Sequence, residues 1–130
     1  MNTFFTDSWV STLRDKWNRD PEMTTPLGQA NFDAVIAFGL IDDLDPRVII
    51  KVVNGLIESA EMYRGGSYEA DWDLRAAPGT WAKWQTSGLG LTGLGVAVSS
   101  GTLQFRKGDY RRLIRTPALA GPFLKFFSLL

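Results

Sequence analysis

Between two runs rich in β-branched residues, 47–54 and 56–63, the chain places Asn54-Gly55. Both residue types accept positive φ, and the two-residue turn that requires it matches the right-handed twist of paired strands. A β-hairpin is therefore predicted at this point. A third run, 32–41, precedes it across Asp42-Asp43-Leu44-Asp45-Pro46, whose acids and proline suit a solvated turn. Residues 69–75 alternate, with Ala70, Trp72 and Leu74 on one side and Glu69, Asp71, Asp73 and Arg75 on the other. That pattern predicts a fourth strand with one face inward and one face in water. Residues 102–107 make a fifth, with Leu103 and Phe105 sharing a face.

Helical signals alternate with these strands. Phe5, Trp9, Leu13 and Trp17 recur every four residues beside Val10, an apolar stripe that Thr6 or Asp7 can cap and Pro21 stops. Residues 22–31 turn to Thr, Pro, Gly and Gln and read as a connection over the surface. Pro78 suits the first turn of a short helix carrying Trp81 and Trp84 and ending near Gly88, after which a glycine-rich segment leads to Val96 and Val98. Gly108-Asp109 breaks the fifth strand and caps a helix over 110–115. A last helical stretch, 117–130, gathers Leu119, Phe123, Phe126, Phe127 and Leu130. The expectation is a single α+β domain over 1–130, with 117–130 as an apolar C-terminal extension.

The side-chain inventory excludes several chemistries. There is no Cys and no His among 130 residues, so disulfides, thiolate nucleophiles and the commonest metal ligands are missing, and a Ser-His-Asp or Cys-His mechanism cannot be assembled. The 14 basic and 14 acidic residues cancel, so no overall field steers the chain toward nucleic acid or an anionic membrane, and an electrostatic partner would have to use a local patch. The N-terminal residues carry Asp7, Arg14, Asp15 and Lys16 among their apolar ones, unlike a secretory signal. A cytoplasmic protein with no metal and no cofactor is expected.

Three local motifs yield to plainer readings. Gly88-Leu89-Gly90-Leu91-Thr92-Gly93 spells a dinucleotide fingerprint but follows a helix signal where a strand is required. Asp42, Asp43 and Asp45 lack the spacing, glycine and closing Glu of a calcium loop. Asp71 and Asp73 share a strand face as a catalytic pair would, yet alternation already accounts for them. Arg111, Arg112 and Arg115, with Arg106 and Lys107 nearby, form a basic stretch that suits a solvated helix face or the headgroups of an anionic membrane.

From Ala70-Asp71 through Trp81, Trp84 and Gly88 to Gly101-Thr102-Leu103-Gln104-Phe105-Arg106-Lys107-Gly108-Asp109, the chain resembles the sterol carrier protein type 2 family of lipid-transfer domains. The resemblance implies an α+β fold in which about five mostly antiparallel strands are covered on one face by helices. It also implies an apolar tunnel for sterol, fatty acyl or isoprenoid-quinone-like guests. Carried over by position, the ligand-binding residues are Trp81, Trp84, Leu91, Leu94, Leu103 and Phe105, joined by Phe123, Phe126 and Phe127 of the C-terminal stretch. The glycine content of 88–95 and the tail after Thr116 depart from the family pattern. The expected role is non-catalytic binding or transfer of a hydrophobic small molecule, with Arg111, Arg112 and Arg115 meeting a membrane surface. The rival reading is a dimerisation or interaction module that uses the apolar C-terminal surface; an enzyme built on Asp71 and Asp73 is a distant third.

Overall fold

The computed structural model describes residues 5–66 and 68–130, Pro117 by its backbone alone. Thr6 caps the first helix, α1 (Asp7–Arg19), by accepting from the Trp9 amide at 3.1 Å, and the four-residue stripe buries Trp9, Val10, Leu13 and Trp17. The segment read as a surface connection is instead a helix, α2 (Pro21–Gln29). Pro21 both stops α1 and opens α2, because at the first helical position its missing N–H costs nothing. Asp20 caps the new helix through the Glu22 amide at 2.9 Å. Met23 and Leu27, one turn apart, bury against the core.

Five strands follow: β1 (Ala34–Leu40), β2 (Val48–Val53), β3 (Leu56–Met62), β4 (Trp72–Ala76) and β5 (Gln104–Lys107), in the sheet order β3-β2-β1-β4-β5. Three pairings are antiparallel, whereas β1 and β4 run parallel, so the sheet is mixed. The β2–β3 turn has Asn54 at φ 50° and Gly55 at φ 81°, as the sequence predicts for a two-residue hairpin. Between β4 and β5 lie α3 (Pro78–Ser87) and α4 (Leu91–Ser99); α5 (Tyr110–Arg115) and α6 (Pro117–Leu129) complete the chain.

Register puts Ile36, Phe38, Ile50, Val48 and Leu74 on one face of the sheet, and the helices pack there. The opposite face of β4 corrects the expectation of a wetted polar side: every residue of the strand is buried, including Asp73 and Arg75. Their side chains pair at 2.7 Å (Nε to Oδ1) and 3.2 Å (Nη2 to Oδ2). Arg75 also donates to the carbonyls of Leu40, Asp43 and Leu44, so the β1–β2 loop closes over it. The strand alternates as read, but a loop covers the side that alternation assigns to solvent.

Candidate functional site

A cavity of about 40 Å³ lies between the helices and the sheet. Its floor is Ile36 of β1 with Trp72 and Leu74 of β4, in register as neighbours. Trp17 closes one side, its indole N–H donating to the Gly55 carbonyl at 2.9 Å, and Met23 and Leu27 of α2 close another. Leu113 of α5 and Leu119, Pro122, Phe123 and Phe126 of α6 form the roof. Among the described residues no titratable side chain lines it; Asp73 and Arg75 occupy the far face of the sheet. Near that pair, Tyr68 offers its hydroxyl to Asp73 at 3.4 Å, and burial, reinforced by the Asp73 charge, raises its pKa above 10.0.

Of the residues assigned by position to a ligand, Phe123 and Phe126 stand on the cavity wall. Phe105 stands just behind it, its ring 5.9 Å from that of Phe123 and 6.3 Å from that of Trp72. Trp81, Trp84 and Phe127 pack into one another instead, with centroids 5.2 to 6.1 Å apart, and Trp81 donates to the Gly39 carbonyl at 2.9 Å. Trp84 also borders a shallow surface groove with Lys83, Leu89 and Val96. Leu94 and Leu103 are fully buried, and Leu91 is 57% exposed on α4. The wall residues that sequence reasoning did not assign are Trp17, Met23, Leu27, Phe32, Ile36, Trp72, Leu74, Leu113, Leu119 and Pro122. Trp17 was visible in the α1 stripe, and the Asp-Pro start with Met23 and Leu27 at i, i+4 was the unread signal for α2.

No protein-family model matches the chain, and no curated protein does. Solved structures do. A crystal structure of sterol carrier protein 2 superposes with a TM-score of 0.72 at 21% identity, over 96% of this chain and 97% of that one. The chain has the sterol carrier protein 2 fold. A conserved hypothetical protein from Thermus thermophilus, provisionally described as a sterol carrier protein, gives 0.67 at 20% identity over 96% and 87% of the two chains. The ubiquinone synthesis protein UbiJ-SCP2 gives 0.63 at 17% identity over 99% and 94%.

Within the sterol carrier protein 2 fold of this chain, the described wall residues are apolar throughout, and apolar surface placed against them would leave water at a gain of ~25 cal/mol per Å². The basic residues Arg111, Arg112 and Arg115 are exposed on α5 while Leu113, between them, faces the cavity. The apolar C-terminal residues are not a free surface: Phe126, Phe127, Leu129 and Leu130 are buried in the same core as α1 and the sheet. No helix among the described residues is long and apolar enough to cross a membrane.

Proposed function

We propose that the protein binds or carries a hydrophobic small molecule of lipid type, without catalysis, between its sheet and its helices. The observation that carries this reading is a cavity walled wholly by apolar side chains, in a fold shared with sterol carrier protein 2. At about 40 Å³ the space falls far short of ligand pockets, which run to roughly 300–1,000 Å³. The guest therefore enters by displacing part of the roof. Phe123 and Phe126 are the groups it displaces, which gives two of the positionally assigned residues a direct role; Trp81, Trp84, Leu94, Leu103 and Phe127 support the wall from behind.

Arg111, Arg112 and Arg115 would bring α5, and with it the Leu113 wall, against an anionic membrane from which such a guest is collected. Native mass spectrometry of gently purified protein is expected to show a co-purifying lipid. Protein that is empty and also leaves fatty-acyl, sterol and quinone probes unbound sinks the reading.

A further inference from the structure

The cavity and an external groove share a wall residue. Pro122 lines the cavity from α6 and also lines the cleft outside, where α6 faces Pro21, Glu22, Thr25 and Pro26 of α2. The seam between α2 and α6 is thus a partition of single side-chain thickness at this point. Both helices carry an internal proline there, Pro26 in α2 and Pro122 in α6. Each proline removes one i to i−4 hydrogen bond, so each helix is weakest in the turn that borders the seam. Across the same seam Lys125 reaches from α6 to Glu22 at 3.3 Å and to Asp20 at 3.8 Å.

We propose that the α2–α6 seam is the mouth of the cavity, and that the Lys125 pairs with Glu22 and Asp20 latch it. The inference rests on the binding reading above and adds the route and its control. Lys125 is 37% exposed and Glu22 72%, so the Glu22 arm of the latch is wet and salt-sensitive, while Asp20, 18% exposed, is held at the longer 3.8 Å; neither arm carries much stability by itself. It sits one turn beyond Pro122, where a small outward movement of α6 separates Phe123 and Phe126 from Met23 and Leu27. The weak latch and the two proline-bearing turns place the easiest opening of the roof at this seam. Arg111, Arg112 and Arg115 lie on the neighbouring helix and take no part in it.

The test uses the full chain and 12-bromododecan-1-ol, whose bromine quenches tryptophan on arrival beside Trp17 and Trp72; a Trp17→Phe variant identifies the signal. Stopped-flow quenching is expected to be about two- to tenfold faster in Lys125→Ala than in the unaltered protein. Added salt should speed the unaltered protein and leave the variant unmoved, and Lys51→Ala, which removes the exposed Lys51–Glu58 pair elsewhere, should change nothing. A Thr25→Cys/Gly121→Cys double variant, whose thiols are unique in this cysteine-free chain, is joined by a reductant-cleavable methanethiosulfonate cross-linker. Gly121 has open space around its Cα and Thr25 is exposed, so both changes are accommodated. Uptake should stop when the seam is joined and return on reduction. Undiminished uptake by the joined protein, or equal rates for Lys125→Ala and the unaltered protein, overturns the mouth or its latch while leaving the binding reading intact. Absence of quenching in every form instead removes the binding reading itself.

Discussion

Arg75 shows how one residue can hold a whole loop. Its guanidinium is fully buried, pairs with Asp73 through two nitrogens, and spends its remaining donors on the carbonyls of residues 40, 43 and 44. Arg106 donates to the same loop from outside, at Ile41, Asp43 and Leu44. Removing one member of a buried pair leaves the other charge desolvated, a cost of about 3–5 kcal/mol. Asp73→Asn and Arg75→Met are each expected to lower unfolding stability by that amount in denaturant titrations. Arg75→Met alone should also strip hydrogen-exchange protection from residues 41–46. Beside this pair, Tyr68 has a pKa raised chiefly by burial, so the folded state holds the phenolic proton more tightly than the unfolded chain. Its contribution is present in full below pH 10.0 and is lost as pH rises through the higher folded value. Ultraviolet titration should show that Tyr68→Phe removes one tyrosinate signal that develops above pH 10.0, and Tyr68→Phe should blunt the alkaline loss of stability.

Among the elements, the hairpin and α2 explain each other. Gly55 takes φ 81° for the turn, and a Cβ there would also meet the backbone of α2, 2.6 Å from the Gly28 nitrogen and 2.7 Å from the Leu27 carbonyl carbon. Gly55→Ala therefore combines a left-handed backbone cost of roughly 1–2 kcal/mol with displacement of a helix that walls the cavity. A drop of at least that size is expected in thermal or urea unfolding, whereas Gly121→Ala, with open space in the middle of α6, should raise stability by about 0.5–1 kcal/mol. The turn half of this arrangement was legible, because Asn-Gly between β-branched runs has a local cause. The strands, α1, α3, α5 and α6 were legible on the same grounds of periodicity and capping. The helix half was obscured: Pro26, Gly28 and two threonines mask the Met23 and Leu27 spacing, and the Asp20-Pro21 start reads equally as the stop of α1, while packing against α6 and the hairpin holds the segment as a helix. The buried side of β4 was equally hidden, since alternation reports which residues share a face and not what later covers it. The same limit scattered the candidate site. Aromatic content singled out Trp81 and Trp84, but Phe127 from the far end of the chain fills the space beside them, and the cavity opens instead beneath Phe123 and Phe126.

For the whole molecule, the proposed binding turns on the difference between the space present and the space a lipid would need. Phe126 occupies part of that difference: it is 4% exposed, its ring lies 5.5 Å from Phe38 and 6.0 Å from Trp17, and it lines the cavity. Truncating it costs the packing of a large aromatic side chain, about 3–5 kcal/mol, and leaves a dry void where a guest would lie. Phe126→Ala is thus expected to lower the melting temperature of the empty protein and to tighten binding of dodecanol, because the guest no longer has to displace a ring. The two effects oppose each other once ligand is added. At a concentration about 100 times its dissociation constant a ligand returns about 2.7 kcal/mol, so the variant should recover most of its lost stability, and by a larger margin than the unaltered protein at the same ligand concentration. Melting curves with and without dodecanol measure both terms. A variant that is weakened but gains nothing extra from dodecanol would mean that the ring packs the core without standing where the guest goes.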